Sequence, residues 1–98
     1  MRTLITISIP ADSGTTAVQD GTLPKIMGEA LERLKPEAAY FTTIHGQRTA
    51  LMVFDMKDSS DMPSIAEPFF AGFSAAVTFS PVMTADDLKA GLQKIQPK

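Results

Sequence analysis

The residues best suited to acid-base chemistry lie in one short stretch, YFTTIHGQRTALMVF, which spans positions 40–54. It contains the only histidine, His45, close to Arg48, and the only tyrosine, Tyr40. Histidine titrates near neutral pH and can act as a general acid or base, while arginine can hold an anionic group of a ligand. A tyrosine hydroxyl can orient a ligand or donate a proton. These residue types also suit the polar tip of a hairpin, so a purely structural role remains open.

The same stretch predicts a β-hairpin, because apolar runs flank Gly46 and Gln47. A glycine in the first turn position is typical of a type II′ turn, which would place His45 opposite Arg48. One face of the hairpin would then carry the candidate ligand-binding residues Arg48, Phe41, Thr43 and Met52. An apolar face with a few polar anchors is typical of a small-molecule cavity.

A first strand is predicted at LITISI, residues 4–9, from its alternation and its β-branched content. Thr6 and Ser8 share one face of this strand and are further candidates for lining a cavity. Hydroxyl side chains on a half-covered strand also occur without any such role, so both interpretations stand.

Several kinds of site are not expected from the residue types present. The chain has no cysteine and a single histidine, which leaves little for zinc or haem ligation. Asp55, Asp58 and Asp61 do not follow the spacing of a calcium loop and are interpreted as solvated helix caps. No glycine-rich phosphate-binding motif occurs. We therefore expect neither a metal nor a cofactor.

Charge and hydropathy exclude other classes of partner. The net charge is -2 and the basic residues are scattered, so nucleic-acid binding is not expected. No apolar run approaches the about 18 residues of a membrane-spanning helix. The amino-terminal segment alternates like a strand and lacks the features of an export signal, which favours a cytoplasmic protein.

The remaining segments complete a single domain spanning residues 1–98. Residues 23–35 and 62–73 each carry an apolar stripe of helical period, and residues 75–83 alternate like a strand. Residues 11–22 have weak periodicity and are predicted to form a loop with at most one helical turn around Thr15–Gln19. Thr84 is predicted to cap a final helix with the stripe Leu88, Leu92 and Ile95. The order β-α-β-β-α-β, followed by this helix, predicts an α+β, ferredoxin-like fold.

The hairpin sequence predicts that both faces of the sheet are substantially apolar. Helices cover one face in this arrangement, and each apolar side chain left wet on the other would forfeit about 1.5–3 kcal/mol. A few such residues would rival the stability of a small domain. We therefore expect a homodimer with a two-fold axis, in which the two sheets face each other.

The order of elements and the ending VTFSPVMTADDLKAGL, residues 77–92, resemble the dimeric α/β-barrel superfamily, which includes antibiotic-biosynthesis monooxygenase-like and muconolactone-isomerase-like proteins. The segments LERLKPEAAYF, FDMKDS and SPVMT are similar to a set of small bacterial domains with no established activity. The resemblance implies a homodimer with a cavity between its two sheets and a small hydrophobic ligand. It carries over no catalytic residue.

Three functions follow from the sequence. The preferred one is a homodimeric domain that binds a small apolar or aromatic ligand between two sheets. The second is a cofactor-free enzyme of the monooxygenase or isomerase kind, with His45 or Tyr40 as its acid-base group. The third is a structural module whose second sheet face meets a different protein.

Overall fold

The computed structural model describes residues 1–95 of the 98-residue chain. Its elements, in chain order, are β1 (Arg2–Ile9), α1 (Ala11–Gln19), α2 (Thr22–Leu34), β2 (Ala38–Ile44), β3 (Gln47–Asp55), a 3₁₀ turn (Ser59–Asp61), α3 (Met62–Phe73), β4 (Ala76–Pro81) and α4 (Ala85–Gln93).

The four strands form one antiparallel sheet in the order β2-β3-β1-β4. The apolar strands β1 and β3 lie in the middle, and β4, which ends at Pro81, is an edge strand as its proline predicts. A mixed α+β protein is thereby confirmed, with a sheet and helices compatible with the ferredoxin-like arrangement. No described helix within residues 1–95 is long and apolar enough to cross a membrane.

The core lies between one sheet face and helices α1, α2 and α3. Ile5, Ile7 and Met52 project from the central strands into this layer and have no exposed surface. Phe69 and Phe73 of α3 pack on them, with ring centroids 6.1 Å apart and planes tilted by 49°. Met27, Ala30 and Ile65 are buried as well, so the predicted stripes of residues 23–35 and 62–73 face the core. Phe70, which also lies at a predicted stripe position, is 42% exposed instead.

The prediction of a loop at residues 11–22 is wrong, because most of this segment forms helix α1. Gly14 and the β-branched Thr15 and Thr16 are weak helix formers, which hid the helix in the sequence. Tertiary contacts compensate: Gly14 is buried, and the Ser13 hydroxyl donates to the Phe73 carbonyl oxygen at 2.7 Å. Packing rather than local propensity supplies most helical stability in proteins.

The predicted hairpin is present, but its turn is one residue earlier than predicted. His45 and Gly46 form the turn, with φ of 54° and 76°, and Ile44 pairs with Gln47. Positive φ at both central residues is typical of a type I′ turn rather than type II′. Arg48 therefore pairs with Thr43 and not with His45. Each side chain still points to the predicted face of the sheet, because the register differs from the predicted one by two residues and side chains alternate with a period of two.

The second sheet face, which no described helix covers, we call the open face. It is less apolar than predicted, because hydroxyl residues alternate with apolar ones across it. Its apolar members include Leu4, Leu51, Val53, Tyr40 and Ile44, and its hydroxyl members include Thr6, Ser8, Thr42, Thr49 and Thr78. Tyr40 is 69% exposed and Ile44 40%, whereas Leu4, Leu51 and Val53 are half-buried by their neighbours.

Helix α4 begins with the predicted cap. The Thr84 hydroxyl accepts a hydrogen bond from the Asp87 amide, and the Asp87 carboxylate accepts one from the Thr84 amide, both at 3.1 Å. The helix then leaves the body: none of its residues is buried, and the longest dimension of the molecule is 60 Å against 28 and 19 Å for the others. Leu88 and Leu92 of the predicted stripe lie on α4 and are 48% and 49% exposed, whereas Ile95 follows the end of the helix and is 76% exposed.

Candidate functional site

The site is an open cleft of about 350 Å³ between α2 and the β2–β3 hairpin, on the helix-covered side of the sheet. Pockets for small molecules usually span ~300–1,000 Å³, so this cleft is at the small end of that range. Its lining residues are Ile9, Leu23, Met27, Phe41, Thr42, Arg48, Thr49 and Ala50, of which Thr42 and Thr49 carry their side chains on the open face. We call it the Arg48 cleft, because Arg48 is the only charged residue in that lining.

The Arg48 guanidinium lies along the first turns of α1. Its Nη1 donates to the Ala11 carbonyl oxygen at 3.2 Å, and its Nη2 donates to the Thr15 hydroxyl at 3.4 Å. Both acceptors are neutral, and other N–H groups of the guanidinium remain for a ligand. Strand β3 therefore places the Arg48 guanidinium at the edge of an apolar cleft. Part of the hydrogen-bond donor capacity of this guanidinium is not used by the protein.

Gly14 makes this position of Arg48 sterically possible. A Cβ atom on Gly14 would lie 2.7 Å from Arg48 Nη1 and 3.0 Å from the Cγ2 of Ile9. The first distance is shorter than a normal van der Waals contact, so a larger residue would displace the guanidinium. The sequence gives Gly14 as one of several turn-forming residues, and only the fold shows this close approach.

The electrostatic surroundings of Arg48 favour an anion. No carboxylate within residues 1–95 lies within 4.0 Å of it, including Asp12 in the first turn of α1. Arg2, in contrast, is paired with Glu37. The amino-terminal end of a helix carries a partial positive charge, so a cation beside α1 is unfavourable unless a negative group accompanies it.

The structure brings Arg48 and Phe41 together in the cleft but not all of the predicted companions. Phe41 lines the cleft and is 57% exposed. Thr43 lies beside Arg48 on the same face but outside the lining. Met52 is fully buried in the core, so a ligand does not reach it without rearrangement.

The acid-base candidates lie elsewhere. His45 is exposed in the hairpin turn, and Tyr40 projects from the open face, on the other side of the sheet from the cleft. The residues that line the cleft provide no carboxyl, imidazole or phenol group. The arrangement can bind and orient a ligand, but neither acid-base candidate is positioned to act on a molecule held there.

Thr6 and Ser8 also lie on the open face, away from Arg48. The Ser8 hydroxyl donates to the side-chain oxygen of Gln47 at 2.9 Å, which ties β1 to β3. A cavity lined by these two residues would need a second chain over the open face.

Leu23, Met27 and Ile9 were missed as lining residues by sequence reasoning. All three belong to the stripes that predict the core, and no local signal distinguishes a residue at the rim of the core from one inside it. The relevant signal appears only when the sheet order places α2 over β2 and β3.

Charged groups cluster at the far end of the sheet. Lys57 and the amino-terminal ammonium group contact the Asp55 carboxylate and lower its pKa to about 2. Glu37, which accepts a hydrogen bond from Arg2, raises the pKa of that guanidinium. These exposed ion pairs neutralise one another and mark the margin of the open face, away from the cleft.

Comparisons with known proteins do not identify the chain. No protein-family model matches it, and no curated protein matches it.

Proposed function

We propose that the chain is a homodimeric domain that binds a small, largely apolar ligand carrying one anionic group, such as an aromatic carboxylate. The observation that supports this most directly is the guanidinium of Arg48, which forms no ion pair with a carboxylate of residues 1–95, at an otherwise uncharged cleft. The dimer is proposed in the form that the dimeric α/β-barrel resemblance implies, with the open faces in contact.

The chemistry of the cleft supports this class of ligand. Leu23, Met27 and Phe41 offer apolar walls to a ring or a short chain. Arginine presents N–H donors in a planar fork that matches the two oxygens of a carboxylate. A neutral ligand of the same shape would use the walls but leave the charge of Arg48 without a partner.

The open face supports the dimer. Its central positions are uncharged, and the charged residues Arg2 and Asp55 lie at one end of it. A partner sheet could thus pack on it without burying an unpaired charge, which would be costly. A ligand between the two sheets, as the resemblance implies, stays a prediction because it needs both protomers. The Arg48 cleft belongs to one chain and can be tested in either state.

The proposal is tested by measuring binding of matched aromatic carboxylates and their neutral amides, by calorimetry and by the shift in melting temperature. We expect the carboxylates to bind more tightly than the amides. The Arg48→Met variant should lose about tenfold or more in carboxylate affinity, because hydrogen bonds to charged groups contribute about 1.5–3 kcal/mol. Its affinity for the amides should change little.

Arg33→Met is the matched control. Arg33 donates to the carbonyl and hydroxyl oxygens of Ser64 and does not line the cleft. It should leave carboxylate affinity unchanged. Equal carboxylate affinity in the wild type and Arg48→Met, or no binding across a broad panel, would contradict the proposed ligand site. The geometry gives no comparable support to a cofactor-free enzyme acting through His45 or Tyr40.

A further inference from the structure

Three of the six methionines line one open pocket at the end of the sheet opposite the hairpin turn. The pocket has a volume of about 290 Å³ and lies between the helix-covered side of the sheet and the start of α3. We call it the methionine pocket, after Met1, Met56 and Met62. It shares no lining residue with the Arg48 cleft, so it is a separate site.

Met1 and Met56 lie opposite each other where the pairing of β1 and β3 continues beyond Arg2 and Asp55. The Met56 amide donates to the Met1 carbonyl oxygen at 2.9 Å, and the Met1 amino group donates to the Met56 carbonyl oxygen at 2.8 Å. Such reciprocal bonds make the two residues cross-strand neighbours, with Cβ atoms about 4.5–5.5 Å apart on the same face. The Thr3 hydroxyl also donates to the Met1 carbonyl oxygen, at 2.9 Å, which fixes Met1 further.

Met62 adds a third thioether from the helical layer. It is the first residue of α3 and lines the same pocket. Methionine often fills gaps in a core, but these three residues surround space that is open to solvent: Met56 and Met62 are half-buried and Met1 is 73% exposed. A methionine side chain has three rotatable bonds and can adjust the position of its sulfur. Three thioethers from three elements can therefore converge on one point in the pocket.

The ligand type determines which metal ion such a pocket would take. Thioether sulfur is a soft ligand and selects soft ions such as Cu(I). Zinc prefers thiolate, imidazole and carboxylate ligands, and calcium and magnesium prefer oxygen. Within residues 1–95 no group of three histidine, aspartate or glutamate side chains could hold such an ion. Cysteine, histidine and carboxylate patterns in the sequence predict no metal site, but thioether sulfur is a different kind of ligand.

The charges around the pocket are compatible with a bound cation. The Asp58 carboxylate lines the pocket and accepts a hydrogen bond from the Ser60 amide at 2.9 Å. This bond lowers the pKa of Asp58, so the carboxylate is ionised at neutral pH. Lys57 also lines the pocket, but its ammonium group contacts the Asp55 carboxylate, which offsets its charge.

From this arrangement we propose that the methionine pocket binds one Cu(I) ion through the thioethers of Met1, Met56 and Met62. All three ligands are uncharged sulfur atoms, which favours the reduced, monovalent state of copper. The site lies within one protomer. It depends neither on the proposed dimer nor on the proposed carboxylate ligand.

The proposal is tested on the full chain with Ag(I), a redox-inert soft ion, and with Cu(I) kept reduced by ascorbate. We expect one ion per chain, bound more tightly than by free methionine, and no comparable binding of Zn(II). Met56→Leu and Met62→Leu nearly conserve side-chain volume and remove the sulfur. Each should weaken the binding of both ions by at least about tenfold, since loss of even an outer partner of a metal site costs about 10–100-fold in affinity.

Met27→Leu is the matched control, because Met27 lines the Arg48 cleft and not the methionine pocket. His45→Ala controls for binding by the only imidazole. Both variants should bind Ag(I) and Cu(I) as tightly as the wild type does. An affinity no higher than that of free methionine, or equal affinity in the wild type, Met56→Leu and Met62→Leu, would overturn the proposal.

X-ray absorption at the copper edge tests the ligands in the wild-type chain and does not depend on how the variants fold. We expect sulfur atoms in the first coordination shell of Cu(I) bound at one ion per chain. A first shell of nitrogen and oxygen alone would place the ion elsewhere and reject the thioether site, even if copper binds tightly.

Discussion

Gly14 determines where the Arg48 guanidinium can lie, so it offers a way to move that group without removing it. In Gly14→Ala the new methyl group would approach Arg48 Nη1 to 2.7 Å, and the flexible arginine end is the part best able to move. We expect carboxylate affinity to fall, while affinity for neutral amides is kept. Alanine favours a helix by up to about 1 kcal/mol over glycine, which offsets much of the strain in the free energy of unfolding. Calorimetric titration and chemical denaturation measure the two effects separately.

Gly28→Ala is the control for this residue, since nothing lies within 4 Å of a Cβ there and Gly28 is exposed on α2. Its carboxylate affinity should equal that of the wild type. Should Gly14→Ala also bind carboxylates as tightly as the wild type, the observed position of Arg48 would have no bearing on binding, and the role assigned to Gly14 would be wrong.

At the scale of elements, the same substitution is expected to have opposite effects on two helices. A Cβ on Gly72 of α3 would overlap the Cδ1 atom of Ile26 on α2, where the two helices pack closely. Overpacking typically costs about 1–3 kcal/mol, and the better helix propensity of alanine recovers up to about 1 kcal/mol of this, so Gly72→Ala should lower the free energy of unfolding. Gly28→Ala should raise it by about 0.5–1 kcal/mol, because the site is open and alanine is the better helix former. Urea denaturation measures the free energy of unfolding of both variants. A gain in stability from Gly72→Ala would show that α2 and α3 do not pack as closely as described.

Elements with a strong internal pattern were predictable from the sequence, and those stabilised by distant contacts were not. Strand β1 and helices α2 and α3 carry clear periods, and the alternation of β2 and β3 assigned their faces correctly. Helix α1 was missed because its support comes from Phe73 and from burial of Gly14. The hairpin turn was misplaced by one residue because His45 adopts a positive φ that is uncommon outside glycine.

The same reasoning explains how much of the site was predictable. Arg48 and Phe41 share a face because side chains alternate along each strand of the hairpin, so the sequence alone groups them correctly. This alternation does not show which face of the sheet the helices cover, or which core residues lie at the edge of the core. The positions of Leu23 and Met27 in the cleft, and of Tyr40 outside it, depend on how α2 lies over the sheet.

At the scale of the whole molecule, packing at the open face determines whether the protein is a monomer or a dimer. Leu51 lies on the open face of the central strand β3, half-buried between Thr6 and Tyr40. In a monomer, a lysine at this position extends into water and the helix-covered core is untouched. In a dimer it places a charge between two sheets, and burying an unpaired charge costs several kcal/mol. Leu51→Lys should therefore weaken the dimer by about a hundredfold or more and leave the folded protomer intact.

Sedimentation and thermal melting together measure this effect. Because dimerisation stabilises the folded state by mass action, the melting temperature of the wild-type chain should rise with protein concentration, and that of Leu51→Lys should not. Val18→Lys is the control, since Val18 is already 51% exposed on α1, away from the open face. A Leu51→Lys chain that dimerises as tightly as the wild type would place the interface elsewhere. A wild-type melting temperature that does not depend on protein concentration would contradict the proposed dimer. The hydroxyl residues of the open face would then be explained as the solvated side of a monomeric protein.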